Sequence, residues 1–437
     1  MFRRISCLIL CFSLLALSAC LLPDPAPDPG ITPRIVTPEG GIVSDDTPDS
    51  TPDPTPEPTP DPTPEPTPEP TPEPTPVPAA ADLTDTAELD VPGYDPYYFT
   101  DRDYNTSAGI DGGSTITIRS DTPIGSLWII WDEPPGDWVL GADGVETVFG
   151  KDDIIHEFVP VASPSDTVTI TLDHYTVLCD IYVFSEGTVP EWVQTWRAPW
   201  ENADICVFPT HADDEDLFFG GVLPYYAGEL GLKVQVIYMT NHWNEQPRPH
   251  ELLFGLWTAG DVAYPVISDF NDVYADDLDE AISIYGTEDF IEFQVEMLRR
   301  FKPSVIVCHA ENGEYGHGVH MLNTYCMETS VLAAADPEQY TDSAEVWGVW
   351  DTPKMYIHLY GDDPLVMDWH IPLERFGGMT ALDVAKEAYK CHISQQQWAF
   401  EVSEEGYGDC RLFGLYRTSV GEDEARNDLM EHIETRY

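Results

Sequence analysis

Basic residues are scarce in this chain. Against 78 Asp and Glu, its 437 residues include only 20 Lys and Arg, a formal net charge of −58. Such a balance excludes nucleic acid as a partner, because no positive surface is available to displace phosphate counterions. An anionic membrane face would repel the chain for the same reason. Long apolar runs are also lacking: outside residues 5–19, no segment approaches the roughly 18 apolar residues that read as a bilayer span. There is no Cys-x-x-Cys pair, so a cysteine zinc site is not indicated. Gly-x-Ser-x-Gly, Gly-x-x-x-x-Gly-Lys-Ser/Thr and Gly-x-Gly-x-x-Gly are all missing, which removes the nucleophile elbow, the P-loop and the dinucleotide fingerprint. His250-Glu-Leu-Leu-Phe254 begins like a zincin helix but lacks the second histidine.

What is present is enough for real cores: 42% hydrophobic residues, with 12 Trp, 21 Tyr and 17 Phe. The acidity is not confined to a tail. Residues 21–80 hold 12 acids and one base, leaving 66 acids against 17 bases in residues 81–437, which suits solubility in a salty or extracellular setting. Of nine cysteines, six lie beyond residue 20, an even number that permits disulfides in an exported chain. Cys206 and Cys308, in apolar strand-like runs, equally suit buried free thiols.

The amino terminus reads as an address followed by a spacer. A short basic start, Arg3-Arg4, precedes an apolar run of signal-peptide length that ends in Leu17-Ser-Ala-Cys20. This ending resembles the bacterial lipoprotein signal. The resemblance implies a signal peptide over residues 1–19, a lipidated Cys20, and a protein that is exported, anchored in the membrane by lipid only, and facing outside. Residues 20–90 read as a disordered Pro/Thr/Asp/Glu-rich stalk. Its Thr-Pro-Asp/Glu-Pro repeat over 51–78 blocks helix and sheet and favours polyproline II. At about 3.1 Å per residue it would reach roughly 85–90 Å.

Residues 95–190 read as a small all-β sandwich. Ile116 and Ile118 alternate with polar residues, as do Val168, Ile170 and Leu172, and Leu127 to Trp131 is continuously apolar. Turn signals such as Ala142-Asp-Gly144 separate the runs. Trp128, Trp131 and Trp138 either stack on sugars or fill the core.

From 195 to 437 the pattern changes to strand–loop–helix, with strands at 205–208, 233–239, 305–308 and 355–359 and helices after Thr287 and over 381–398. That alternation predicts an α/β fold, a Rossmann-like parallel sheet with helices on both faces, whose sites form at strand carboxyl ends. Two motifs lie there. His211-Ala-Asp-Asp-Glu215 offers imidazole and carboxylate donors on one turn, and Gly313-Glu-Tyr-Gly-His317-Gly-Val-His320 offers a histidine pair. Zinc accepts both donor types, and a catalytic site needs three protein ligands. A second carboxylate beside the ligand can take a water's proton.

Taken with Thr240-Asn241, Arg248-x-x-Glu251 and His392-Ile-Ser-Gln395, these motifs make residues 200–400 resemble the PIG-L (LmbE-like) zinc-dependent deacetylases of N-acetylglucosamine-type amides. The resemblance implies Zn2+ held by His211, Asp214 and His320, and Asp213 as general base. His317 would stabilise the oxyanion or protonate the leaving amine, and Tyr315 is a second oxyanion candidate. Arg248 and Asn241 would contact substrate, with an Arg248–Glu251 ion pair and a turn role for Asn241 as the alternatives. The partner implied is an amino-sugar glycan or glycoconjugate. Three positions depart from the family pattern: Ala212 stands for Pro, and Gly318-Val319 stands for Pro-Asp, which removes the acid expected to charge His317. The competing reading is a glycan-binding surface lipoprotein with impaired catalysis.

Overall fold

The computed structural model describes residues 77–434. The signal peptide, Cys20 and all but the last two residues of the proline repeat lie outside the described residues. The stalk expected to run to residue 90 ends earlier. Ala79 and Asp82 already bridge to Thr188 and Phe184, and the first strand, β1, is Glu88–Asp90.

The first half is an antiparallel sheet of β1, β2 (Ala108–Ile110), β3 (Thr115–Trp131), β4 (Trp138–Ala142), β5 (Val145–Phe149), β6 (His156–Leu172) and β7 (Thr176–Ser185). Its order is β2-β7-β3-β6-β4-β5, with β1 on β3. The 17-residue strands β3 and β6 break register between Arg119 and Ile124, so one sheet bends over itself. Asp143-Gly144, both at positive φ, make the two-residue turn between β4 and β5.

The continuous run Leu127–Trp131 is explained by burial on both faces. Leu127, Ile129 and Trp131 point into the fold of the sheet, while Trp128 and Ile130 join Cys179, Tyr182 and Phe184 on the opposite face. That face is covered by Phe254 and His250 of a helix from the second half, with Trp128 and His156 against them. Trp128, Trp131 and Trp138 are therefore core residues and present no face to a sugar. The two sheets belong to one compact unit.

The second sheet contains β8 (Ile205–Phe208), β9 (Val234–Tyr238), β10 (Val266–Ile267), β11 (Val305–Cys308), β12 (Lys354–His358), β13 (Leu365–Val366) and β14 (Leu412–Thr418). Its order is β10-β9-β8-β11-β12-β14-β13. The first five strands run parallel, but β14 is antiparallel to β12 and β13, so the sheet is mixed rather than wholly parallel. Ile205 and Val207 pack on one face, Cys206 and Phe208 on the other, which is why these strands read as unbroken apolar runs.

The first face is covered by α1 (Asp214–Leu217), α2 (Pro247–Thr258) and, later in the chain, Ala381–Tyr389. The second is covered by α3 (Leu278–Tyr285), α4 (Glu288–Phe301) and, after the short α5 (Gly313–Gly316), by α6 (Gly318–Ala333). Helix α7 (Thr341–Trp347) lies against α4, and the Ala381–Tyr389 helix is α8. Helix α8 stops well before residue 398. The chain instead turns so that the His392 ring sits against Gly255 of α2, where a Cβ would lie 2.7 Å from His392 Nε2. The six cysteines beyond residue 20 are all free thiols.

Candidate active site

Strand order reverses between β8 and β11, with β9 and β10 continuing on one side and β12 on the other. Loops that leave a parallel sheet in opposite directions open a crevice at the strand carboxyl ends. The segment after β8 carries His211, Asp213 and, at the start of α1, Asp214 into it, and the segment after β11 carries His309, Glu314 in α5, His317 and, in the first turn of α6, His320. His211, Asp213, Asp214, Arg248, Tyr315 and His317 line a cavity of about 400 Å³ together with Asp272 and Tyr274.

Three donor atoms converge behind its floor. His211 Nδ1 lies 3.0 Å from His320 Nε2 and 3.3 Å from Asp214 Oδ2, which lies 3.4 Å from His320 Nε2. Tetrahedral bonds of about 2.0–2.2 Å to zinc place neighbouring donors about 3.3–3.6 Å apart. The spacing and the nitrogen–oxygen donor set therefore fit one zinc ion. His317 is close as well, and its donor atom falls within 4.8 Å of those of His211 and His320.

Each imidazole faces a carboxylate at its other nitrogen, hydrogen-bonded at His320 and in ion-pair range at His211. Glu314 Oε2 lies 2.8 Å from His320 Nδ1, and Asp272 Oδ1 lies 3.3 Å from His211 Nε2. This arrangement orients a metal-binding ring and fixes its tautomer. Glu314 is itself fully enclosed. Its Oε1 contacts His309 Nδ1 at 3.1 Å, His358 Nδ1 at 3.0 Å and the Ala310 N–H at 2.9 Å. Burial opposes its charge, but His309 and the other two imidazoles more than offset that and hold it well below the usual carboxylate range. Glu314 sits at φ +56°, a strained backbone placement at the site.

Asp213 is strained too, at φ +118°. Arg248 reaches over it, donating from Nη2 to the Ala212 carbonyl at 2.8 Å with Asp213 Oδ1 at 3.8 Å. Burial, helped by the neighbouring charge of Asp214, raises Asp213 to about 7 despite the guanidinium. Asp214 accepts the backbone N–H groups of Thr210 and His211. Burial opposes its charge, but His320 and His309 hold it well below the usual range. Burial also works against a proton on His211, but Asp272 and Asp214 outweigh it and raise the group to about 10. His317 moves the other way. Burial, then repulsion from His211 and His320, lowers it to about 2. Its Nδ1 accepts the Val319 N–H at 3.3 Å and caps α6, so the neutral ring keeps its proton on Nε2.

Arg248 pairs with Asp213, Glu245 and Asp272 rather than with Glu251. Glu251 instead accepts from the Ser394 N–H at 2.7 Å and the Ser394 hydroxyl at 2.5 Å. That bond holds the turn bearing Gln395, next to Trp398 and Phe400 at the cavity wall. Asn241 does not line the cavity. Its side-chain amide donates to the Ser268 carbonyl and its backbone N–H to Phe270, tying the end of β9 to the loop that carries Asp272. Asp272, His309 and His358 were not singled out from sequence. Asp272 and His309 follow strands and His358 ends β12, all without a motif, and only His309, directly after the apolar Val305–Cys308 run, has even a positional signal.

No protein-family profile matches the chain. It is related in sequence to two curated deacetylases. Over 172 residues it is 26% identical to 1D-myo-inositol 2-acetamido-2-deoxy-alpha-D-glucopyranoside deacetylase 2 of Saccharopolyspora erythraea, a stretch covering 33% of this chain and 61% of that protein. Over 80 residues it is 35% identical to the corresponding deacetylase of Geodermatophilus obscurus, covering 18% and 23% respectively. The match thus spans about three fifths of the first relative and a quarter of the second. Among solved structures, N,N'-diacetylchitobiose deacetylase of Pyrococcus horikoshii aligns at 16% identity and a TM-score of 0.33, covering 45% of this chain and 72% of that one.

Proposed function

We propose that this chain is a zinc-dependent N-deacetylase of the PIG-L (LmbE-like) kind, acting on N-acetylglucosamine-type amides of an extracellular glycan or glycoconjugate. The observation that carries the reading is the 3.0–3.4 Å triangle of His211, Asp214 and His320 donors with Asp213 beside it. Zinc held there would supply Lewis acidity toward an amide carbonyl and make a water more acidic.

The chain's own residues do the rest. Asp213 is the general base: a carboxylate raised to about 7 is matched to taking a proton from water near neutral pH. Arg248 positions Asp213 and keeps its charge tolerable beside Asp214. His317, neutral and capping α6 through Nδ1, presents its Nε2–H to the charge that develops on the amide oxygen. Tyr315, at the cavity wall with its ring 5.8 Å from that of His317, is a second donor to the same oxygen. The proton that Asp213 acquires passes to the leaving amine. Exposed Trp398 and Tyr274 at the mouth offer faces on which a sugar ring can stack. Arg248, which lines the cavity, can contact a substrate hydroxyl or anionic group.

The same proposal includes the address: lipid on Cys20, a proline-rich spacer, and the domain held outside the cell. Labelling the full chain with a radioactive fatty acid, with Cys20→Ser as the control, tests that part. Acetate release from oligosaccharides containing N-acetylglucosamine tests the chemistry. Release that stops on chelation and returns with zinc is the expected outcome. A metal-loaded protein that binds such glycans and frees no acetate supports the binding-protein reading instead.

A further inference from the structure

Where the antiparallel sheet meets α2, three metal-type side chains from three different elements converge: Asp132 just after β3, Cys179 in β7 and His250 in α2. Their donor atoms all lie within 4.8 Å of one another. His250 Nε2 is 3.6 Å from Asp132 Oδ1, and Cys179 Sγ is 3.9 Å from the same oxygen. Cys179 and His250 are fully buried, and Asp132 keeps a solvent-facing edge.

A chain of hydrogen bonds determines which His250 atom faces this cluster. Trp196 Nε1 donates at 2.8 Å to the Gln194 side chain, and an indole N–H can only donate, so that atom is the amide oxygen. The same oxygen lies 2.7 Å from His156 Nδ1 and must therefore accept its proton. With its proton on Nδ1, the buried His156 ring accepts at Nε2 from His250 Nδ1 at 2.9 Å. His250 thus spends its Nδ1 proton on His156 and turns Nε2 toward the cluster, and that buried nitrogen has no hydrogen-bond partner. The 3.6 Å gap to Asp132 exceeds the roughly 2.7–3.2 Å of a hydrogen bond. It is within a few tenths of an ångström of the about 3.3–3.5 Å edge that a tetrahedral ion sets between nitrogen and oxygen donors, as the 3.9 Å from Cys179 to Asp132 is of the about 3.5–3.7 Å edge to a thiolate.

We propose that Asp132, Cys179 and His250 form a second metal site, separate from the cavity, that binds zinc and staples α2 to the antiparallel sheet. One thiolate, one imidazole and one carboxylate are a borderline-soft set that suits zinc and not magnesium or calcium. Binding breaks the Cys179 S–H bond, forms a sulfur–zinc bond and releases the proton to solvent. Water enters the fourth position from the exposed edge of Asp132. Arg248 lies two residues before His250 on α2, so the staple also fixes the helix that carries the residue over Asp213. This site does not depend on the proposed deacetylase activity.

Cobalt(II) substitution of the full chain tests it, because the cavity ligands include no cysteine. The expected result is a second cobalt beyond the cavity ion and a near-ultraviolet thiolate-to-cobalt absorption band. Cys179→Ser should remove that band and one cobalt while leaving the cavity cobalt in place. If Cys179→Ser does not fold, the wild-type stoichiometry and spectrum still decide. A single cobalt per chain without a thiolate band overturns the proposal, and so does a band that survives in a folded Cys179→Ser protein.

Discussion

At the scale of single residues, protons and metal compete for the same atoms. His211 holds its proton up to about pH 10, because Asp272 and Asp214 outweigh its burial. An ion entering between His211, Asp214 and His320 has to displace that proton. Metal binding to the cavity site should therefore release a proton near neutral pH and weaken by up to about tenfold per unit as pH falls. Titrations at several pH values with an indicator dye check this, and a pH-independent affinity contradicts it. Asp213→Asn should keep the cavity metal and lose about 10²–10⁴-fold in acetate release, the usual worth of a general base. His320→Ala should lose that metal, since two ligands hold zinc poorly against chelators. Glu314→Gln removes the charge that orients His320 and should cost about 10–100-fold in metal affinity, read by competition with a chelating dye.

At the scale of elements, the start of α6 matters most. Val319 stands where the PIG-L pattern that this segment resembles has an acid beside His317. Its side chain is fully buried in the apolar cluster between α6 and the sheet, so a carboxylate there would point into that cluster. Val319→Asp should therefore destabilise the protein by about 2 kcal/mol or more, measured by urea unfolding, rather than extend activity to higher pH. A fully stable variant with an alkaline-shifted rate profile would show that the charge does reach His317. Helix α2 is equally constrained. A methyl at Gly255 would meet His392 Nε2 at 2.7 Å, so Gly255→Ala should push α2 from its seat and lower both stability and activity. A thermal melt and an assay on the same sample would show the two fall together.

At the scale of the whole molecule, the antiparallel sheet packs against the helix that carries Arg248. The change of pattern near residue 195 suggests a separable accessory domain that small substrates do not need. Instead, Trp128, Ile130, Tyr182 and Phe184 pack with Val193 and Phe254, and the Tyr264 hydroxyl accepts the Ile155 N–H at 3.2 Å. A chain begun at Glu191 would expose the α2 face and should be insoluble or unfolded. Recovery of a soluble, active fragment by gel filtration and acetate assay would restore the two-domain picture.

Local pattern determined a good deal. Strands expected at 205–208 and 305–308 fall on β8 and β11 because both faces of those strands are buried and every position must be apolar. The carboxyl-end loops carrying His211, Asp213, Asp214, His317 and His320 were legible because motif residues within a few positions share one turn. The tertiary structure decided what local spacing does not encode. The antiparallel return of β14, the early end of α8 and the second buried face of β3 depend on elements far away in the chain. So do Asp272 behind His211, His358 against Glu314, and the meeting of Asp132, Cys179 and His250. Such contacts join residues whose separation along the chain carries no period, and only chain closure brings them within bonding distance.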